Sequence, residues 1–238
     1  MINRQENKYF LNFNQYLHIK KDLEKLMTRD ENSYHNLPYK VRSIYFDDIY
    51  FKCIDEKLSG ERHRSKYRFR VYNNDFDNIK FEVKIKNNSV SFKKTFKLSK
   101  MLYEQIIDNY NFSLASIGDL SLKKELIYLK HSNFKPKSII NYERDAFKIS
   151  NKLLRITFDK NITRELSNIN FFNINAQKQK IFLDNKVVME VKFKNYIPIY
   201  IIDIFSKYNI ARSAISKYVL ANKFRDFSVD RDLITETF

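Results

Sequence analysis

Five short segments of this chain carry a charged or polar residue at every second position. In a β-strand alternate side chains share one face, so each segment predicts a strand with one charged and one apolar face. In the range 81–86, for example, apolar residues alternate with Glu82, Lys84 and Lys86. The alternating residues of the five segments are Arg4, Glu6 and Lys8; Lys66, Arg68 and Arg70; Glu82, Lys84 and Lys86; Arg155, Thr157 and Asp159; and Glu190, Lys192 and Lys194.

These charged faces admit two interpretations. An antiparallel sheet with one face in water also alternates charged with apolar residues, and this explains any single segment. A solvated face usually mixes charges with Ser, Thr, Asn and Gln, whereas these faces repeat Arg, Lys and Glu-x-Lys patterns. If the strands close into a barrel with these faces inward, they enclose a cationic tunnel with a few carboxylates. Such a tunnel suits a polyanion together with a divalent metal ion.

The overall charge also favours anionic partners. The chain has 44 Lys and Arg against 28 Asp and Glu, a net charge of +16. This balance is typical of proteins that bind nucleic acid, phosphate polymers or an anionic membrane surface. An AT-rich genome, which the abundance of Asn, Ile, Phe and Tyr indicates, raises the lysine content without any function. It does not explain the four arginines between residues 62 and 70.

Cysteine and histidine usage excludes two kinds of site. Cys53 is the sole cysteine, so neither an intrachain disulfide nor a thiolate zinc site can form, and a reducing, cytoplasmic setting is expected. The four histidines lack metal-ligand spacing. The chain has no signal-peptide pattern and no run near the roughly 20 apolar residues of a membrane helix. We therefore expect a protein that is cytoplasmic or peripheral to a membrane.

Hydrophobic periodicity and capping residues predict eight strands and five helices. Pro136 is expected to end a helical region, and Asp184-Asn185 to form a turn inside the last strand. The predicted strands are Arg4–Phe10, Tyr39–Asp47, Arg64–Tyr72, Ile79–Lys86, Val90–Lys97, Ser138–Ile149, Leu153–Asp159 and Lys180–Phe193. The predicted helices run from Asn14 to about Thr28, from Ser99 to about Tyr110, from Ser121 to His131, from Ile199 to Lys207 and from Ala214 to Phe224. Asn14, Ser99 and Ser121 are the predicted N-caps of the first three.

This order of elements predicts an α+β protein. Strands with helices grouped between them are typical of an antiparallel sheet or barrel, here of about eight strands with helices packed outside, rather than of βαβ units. A chain of 238 residues that is 43% hydrophobic can form a large core. With two glycines, three prolines and no repeat, we expect one compact domain over residues 1–238.

The order and spacing of nine short motifs resemble the VTC domain. That domain is the polyphosphate polymerase module of the vacuolar transporter chaperone family, within the triphosphate tunnel metalloenzymes, or CYTH-like superfamily. The motifs are Arg4-x-Glu6-x-Lys8-Tyr9, Arg42-Ser43-x-Tyr45-Phe46-Asp47, Gly60, Lys66-x-Arg68-x-Arg70, Glu82-x-Lys84-x-Lys86, Tyr142-x-Arg144, Arg155-x-Thr157-x-Asp159, Glu190-x-Lys192 and Ser216-Lys217-Tyr218. The resemblance runs from Arg4 to about Phe224 and is expected to be to a bacterial stand-alone homologue.

One departure separates the branches of this superfamily. Its founding members open with Glu-x-Glu-x-Lys, where this chain has Arg4, Glu6 and Lys8. The arginine matches the VTC branch and counts against a hydrolytic mechanism with two metal ions.

The resemblance implies a polymerase that transfers the ATP γ-phosphate to a growing polyphosphate chain and releases ADP, with Mn²⁺ or Mg²⁺ as cofactor. It implies Glu190 as the metal ligand. The implied catalytic residues are Lys8, Arg68, Arg70, Lys84, Arg144 and Lys192. The implied substrate-binding residues are Glu6, Lys66, Lys86, Tyr142, Arg155, Ser216 and Lys217.

Several of these roles have structural alternatives. Glu190 is expected to bind the metal but would otherwise pair with a lysine, as we predict for Glu82. The face of Arg144 is ambiguous because charged residues flank it, and Arg155 fits a phosphate clamp or an ion pair equally well. Ser206-Lys207-Tyr208 repeats the motif at Ser216-Lys217-Tyr218. Ser43, Tyr45 and Asp47 are predicted to be structural.

The sequence leaves three other functions open. The same fold would serve a hydrolase of tripolyphosphate or nucleoside triphosphates, and it would also serve a catalytically silent polyphosphate-binding module. A basic nucleic-acid-binding protein is disfavoured because the chain lacks an RNA-binding signature, a zinc motif and a basic helix. The expected partners are ATP and polyphosphate rather than nucleic acid, with a membrane-protein partner left open and the oligomeric state not predicted.

Overall fold

A computed structural model describes residues 5–33, 37–88, 90–149, 154–166 and 170–222. Arg4, Leu153 and Phe224, at which predicted elements began or ended, lie outside this part. In the described residues the strands are β1 (Gln5–Leu11), β2 (Thr28–Arg29), β3 (Tyr39–Asp47), β4 (His63–Tyr72), β5 (Ile79–Asn87), β6 (Val90–Leu98), β7 (Lys135–Lys148), β8 (Leu154–Glu165), β9 (Lys178–Lys180) and β10 (Val187–Phe193). The helices are α1 (Phe13–Glu24), α2 (Lys52–Leu58), α3 (Lys100–Ile107), α4 (Leu120–His131), α5 (Ile199–Lys207) and α6 (217–222).

These elements confirm the predicted α+β class with an antiparallel sheet. Every strand pair whose register is described, including β1 with β10 and β4 with β5, is antiparallel. Two short 3₁₀ helices, Phe76–Asn78 and Leu114–Ser116, complete the secondary structure. No helix in the described part of the chain is long and apolar enough to cross a membrane.

The chain divides into two compact units. Unit 1 comprises residues 1–41, 141–163 and 180–216, and unit 2 comprises residues 42–140, 164–179 and 217–238. Strands β3, β7, β8 and β9 contribute residues to both units. The single domain over residues 1–238 stays a prediction.

Unit 1 contains the strand order β1-β10-β8-β7. Alternate residues of these strands, such as Tyr9, Met189 and Ile156, are buried against α1 and α5 in one hydrophobic core. Because the side chains between them point to the opposite face, the charged residues Glu6, Lys8, Glu190 and Lys192 and the polar Thr157 share that other face.

Unit 2 contains the strand order β3-β4-β5-β6. Its core is rich in aromatic rings, with Phe69 in edge-to-face contact with Phe46, Phe81 and Tyr103. Aromatic pairs of this kind each add about 0.5–1.5 kcal/mol beyond area burial. The core fixes the odd-numbered side chains of β4 and β5 on one face and so directs Arg68, like the other even-numbered residues, to the other face.

Two predicted boundaries were wrong because a neighbouring polar residue caps the helix. The Asp119 carboxylate accepts hydrogen bonds from the backbone of Ser121 and Leu122, so α4 begins at Leu120. Asn12 rather than Asn14 caps α1 in a capping box with Gln15.

Two other expectations about helical regions also failed. Pro136 does not end a helix but is the second residue of β7, where a strand tolerates proline. Helix α2 was not among the predicted helices, and it has no side-chain cap at Phe51, whose φ is 59°. Instead the Asp48 carboxylate accepts from the backbone of Lys52, and Asp47 accepts from Cys53.

Candidate functional site

The charged face of β4, β5 and β6 is strongly basic. The register aligns Lys66 with Lys84 and Lys84 with Lys93, so these three lysines lie on one face of the sheet. Every second residue of the three strands lies on the same face. Glu82 is the sole acidic residue that β4–β6 place on this face. The nine cations of the face are Arg64, Lys66, Arg68, Arg70, Lys80, Lys84, Lys86, Lys93 and Lys97.

The buried carboxylate of Glu82 organises the arginines. Its Oε2 lies 2.8 Å from Arg68 Nε, 2.7 Å from Arg68 Nη2 and 3.5 Å from Arg70 Nη1, while Oε1 contacts Lys93 Nζ. Burial alone would raise the pKa of Glu82, but Arg68, Arg70 and Lys93 hold it well below its usual range. Glu82 therefore stays ionised and extends both arginines. The sequence predicted that Glu82 holds Lys84 and arginine side chains extended, and the structure shows it in contact with the two arginines and with Lys93.

Strand β3 supplies a second set of contacts to the arginine pair. Arg68 Nη1 donates to the Tyr45 hydroxyl at 3.0 Å, and Arg70 Nε donates to Ser43 Oγ at 2.9 Å. We predicted Ser43 and Tyr45 to be structural, and here they fix the orientation of two candidate catalytic residues. Residues two apart on a strand face the same way, so Ser43 and Tyr45 lie on one face of β3.

Tyr45 itself is electrostatically unusual. Burial raises the pKa of its hydroxyl, but Arg68, Arg70 and Lys217 together lower it to about 8. Its ring stacks on Tyr218, with ring centroids 5.0 Å apart, and the Tyr218 hydroxyl donates to Asp47. The Ser216-Lys217-Tyr218 motif thus places Tyr218 and the charge of Lys217 beside Tyr45.

Other predicted residues of unit 2 lie on the same face. Lys66 and Lys84 are cross-strand partners, and Lys86 is aligned with Arg64. The sequence analysis missed Lys93, which is aligned with Lys84 and bound to Glu82. The alternation of Lys93, Thr95 and Lys97 in β6 would have revealed it. Ser216, at the end of unit 1, directly precedes α6.

Unit 1 brings together four residues of the candidate site around Lys8. The Lys8 ammonium lies 3.1 Å from Glu6 Oε1 and 3.5 Å from Glu190 Oε1, and it donates to the Ile215 carbonyl at 3.0 Å. Lys192 Nζ lies 3.4 Å from Glu190 Oε2. Glu190 therefore contacts two lysines, the alternative that the sequence had left open beside metal binding.

Arg144 lies in the same unit and is buried. Its guanidinium makes a bidentate contact with Asp159, at 2.6 and 2.7 Å, and lies 3.4 Å from the Tyr142 hydroxyl. Burial alone would lower the pKa of Arg144, but Asp159 raises it well above its usual value. The ambiguity of its face is resolved, because the neighbouring Asp145 points away and accepts from Tyr16 and Arg29.

Arg155 forms an ion pair. Its Nη2 and Nε lie 2.5 and 2.9 Å from the Asp30 carboxylate, and Nη2 also donates to the Tyr39 hydroxyl. Burial raises the pKa of Asp30, but Arg155 and the hydrogen bonds from Asn32 together hold it below its usual value. Of the two roles weighed for Arg155, these contacts favour the ion pair.

The oxygen atoms of unit 1 fit a divalent cation that arrives bound to phosphate. No group of three or more His, Cys, Asp or Glu side chains able to hold a metal occurs among the described residues. Glu190 nevertheless has the buried Thr157 hydroxyl as its cross-strand neighbour, and that hydroxyl has no hydrogen-bond partner. Mg²⁺ is commonly held by one or two carboxylates with substrate phosphates completing its shell.

Comparison with known proteins identifies the family. The family model of the VTC domain matches residues 3–224. Among solved structures, the chain is 14% identical to a candidate adenylate cyclase from Bacillus halodurans, covering 94% of this chain and 98% of the other, with a TM-score of 0.50. A protein from Pyrococcus horikoshii is 12% identical, with coverages of 94% and 99% and a TM-score of 0.49. At such identities the first match shows a shared fold only. No curated protein matches the chain in sequence.

Proposed function

The chain belongs to the VTC domain family, and from this premise we propose that it is a metal-dependent polyphosphate polymerase. In the proposed reaction the terminal oxygen of a polyphosphate chain attacks the γ-phosphorus of ATP. A new phosphorus–oxygen bond forms, the bond from that phosphorus to the β,γ-bridging oxygen breaks, and ADP leaves. More broadly, the family supports a protein that acts on nucleotides or polyphosphate.

The arginine pair of β4 is the observation that carries this proposal. The transferred phosphoryl group spreads negative charge over three oxygens, so its catalysis depends mainly on positioned charge. Arg68 and Arg70 are held in place by Glu82 and by Tyr45 and Ser43. Donors held in this way need little reorganisation when the charge develops, and the lysines of the same face would bind the rest of the polyanion.

In unit 1 we assign Glu190 as the metal ligand and Lys8, Lys192 and Arg144 as phosphate contacts. A bound Mn²⁺ or Mg²⁺ would neutralise charge on the phosphate oxygens. The carboxylates of Glu6 and Glu190 keep Lys8 and Lys192 oriented until phosphate displaces these contacts. That the charged faces of the two units line one tunnel stays a prediction.

A product analysis tests the proposed reaction. Purified protein is incubated with ATP and Mn²⁺, and ADP, polyphosphate, free phosphate and pyrophosphate are quantified. ADP together with polymer supports the polymerase, whereas ADP together with free phosphate supports a hydrolase. Release of pyrophosphate would instead match the activity named for the Bacillus halodurans structure. No turnover would favour a silent binding module.

The variant Glu82→Gln tests in the same assay whether the arginine pair carries the reaction. Removing the negative charge between two arginines should release them from their fixed orientation and lower turnover. Unchanged turnover in this variant would show that the arginine arrangement does not carry the reaction.

A further inference from the structure

Thr157 in β8 has a buried hydroxyl without a partner. The residue is 1% exposed, and its Oγ1 makes no hydrogen bond. Most buried side-chain hydroxyls in proteins are bonded, because leaving one unsatisfied is unfavourable. An unsatisfied hydroxyl inside a candidate site therefore indicates a ligand that would satisfy it.

Thr157 lies directly beside Glu190 in the sheet. In the strand register Thr157 is aligned with Glu190, which is aligned with Lys8 on its other side. Directly opposed residues of antiparallel strands have Cβ atoms about 4.5–5.5 Å apart. The two Glu190 oxygens contact Lys8 and Lys192, and Thr157 Oγ1 makes no hydrogen bond to this carboxylate.

The charges around Thr157 favour a cation bound to phosphate over a bare anion. On this face of unit 1 four cations and four carboxylates are joined in ion pairs, so their formal charges cancel. They are Lys8, Lys192, Arg144 and Arg155, and Glu6, Glu190, Asp159 and Asp30. A neutral environment has no excess charge to attract a polyanion, whereas a carboxylate beside a hydroxyl presents two of the hard oxygen ligands that Mg²⁺ and Mn²⁺ prefer.

We propose that Thr157 Oγ1 is a neutral oxygen ligand of the divalent cation that Glu190 binds. This inference rests on the proposed function, because it places the cation at Glu190. The hydroxyl contributes no charge, so it fixes the position of the cation between Glu190 and the phosphate oxygens. A water molecule bonded to Thr157 is the competing explanation, and it predicts no role in metal binding.

The test measures Mn²⁺ binding by calorimetry in the presence of tripolyphosphate, with thermal unfolding measured in parallel. Thr157→Val keeps the shape of the side chain and removes the hydroxyl. We expect its melting temperature to be unchanged or higher and its Mn²⁺ affinity to be about tenfold lower. Thr157→Ser and Thr157→Ala form a second pair that differs only in the hydroxyl, and the serine variant should bind Mn²⁺ more tightly. This pair decides the question if the valine variant does not fold.

Glu190→Gln separates the failure of this inference from the failure of the proposed metal site. Lost Mn²⁺ binding in Glu190→Gln with unchanged binding in Thr157→Val would overturn the role of Thr157 alone. Unchanged Mn²⁺ binding in Glu190→Gln would overturn the metal site itself. An equal loss of tripolyphosphate affinity in Thr157→Val without metal would show a direct phosphate contact and would also contradict the inference.

Discussion

At the scale of single residues, Arg68 and Arg70 allow charge and geometry to be tested separately. Arg→Lys keeps the charge but removes the planar group with which Arg68 reaches Glu82 and Tyr45, and Arg70 reaches Glu82 and Ser43. We expect Arg68→Lys and Arg70→Lys each to lose about 2 to 4 kcal/mol of transition-state stabilisation. The measurement is kcat/KM for ATP at constant ionic strength.

The matched control for these variants is Arg64→Lys. Arg64 lies on the same strand, but its guanidinium contacts the Glu61 carbonyl rather than the Glu82 network. Its substitution should change kcat/KM little. If all three variants kept the parent value, the face would serve only to attract the substrate, and a binding module would explain the protein better.

The lowered pKa of Tyr45 predicts a dependence of phosphate binding on pH. In the folded protein Tyr45 ionises at about pH 8, which places a negative charge against the Arg68 guanidinium. Affinity for tripolyphosphate should therefore fall as the pH rises through about 8, and by reciprocity bound tripolyphosphate should raise the pKa of Tyr45. Ultraviolet titration of tyrosinate, with and without tripolyphosphate, measures both effects.

Tyr45→Phe is the control for this prediction, since it cannot ionise. Ionisation of Tyr45 should also affect the free energy of unfolding. Because the pKa is lower in the folded state, ionisation stabilises the fold progressively between about pH 8 and 10 and contributes nothing below about pH 8. An identical pH profile of tripolyphosphate affinity in parent and Tyr45→Phe would show that another group is responsible.

At the scale of elements, strands were predicted better than helix ends. The charged alternation of β4, β5 and β10 was visible because one face packs in the core, which imposes a period of two. Helix α2 was not predictable from periodicity, because its start depends on the carboxylates of Asp47 and Asp48, which lie before it in the chain. Site residues on β3 were missed for a related reason: both faces of that strand are buried, so the sequence did not show which face was functional.

The cap of α4 gives an element-scale prediction. Asp119→Ala removes the acceptor for the backbone of Ser121 and Leu122 and should lower the free energy of unfolding by about 1 kcal/mol. Ser121→Ala changes the residue that the sequence had suggested as the cap and should have a smaller effect. Urea denaturation of the two variants measures both, and a larger loss in Ser121→Ala would contradict the assignment of the cap.

At the scale of the whole molecule, charge is distributed unevenly between the units. Unit 2 presents nine cations around Glu82 on β4–β6, whereas the charges around Glu190 in unit 1 cancel. The sequence motifs predicted which strands carry these residues, because the alternating patterns and their order along the chain can be read directly from the sequence. They did not predict the pairing of Arg155 with Asp30 or of Arg144 with Asp159, because such contacts depend on tertiary packing.

This distribution predicts that metal binding requires phosphate. Glu190 contacts two lysines, and the described residues contain no larger metal-binding group, so the protein alone should hold Mn²⁺ weakly. Tripolyphosphate draws the lysines to itself and supplies oxygen ligands, which should increase Mn²⁺ retention strongly. Equilibrium dialysis of Mn²⁺ with protein, with tripolyphosphate and with both measures the difference. Saturable, tight binding to the protein alone would contradict this prediction.

The fate of the γ-phosphate of ATP distinguishes a polyphosphate polymerase from a hydrolase. ATP labelled in the γ-phosphate is incubated with the protein and Mn²⁺, and the label in polymer is compared with the ADP released. We expect label to enter polymer in an amount equal to the ADP formed, and Arg68→Lys and Glu190→Gln to lower both together. Label recovered as free phosphate, with none in polymer, would contradict this expectation.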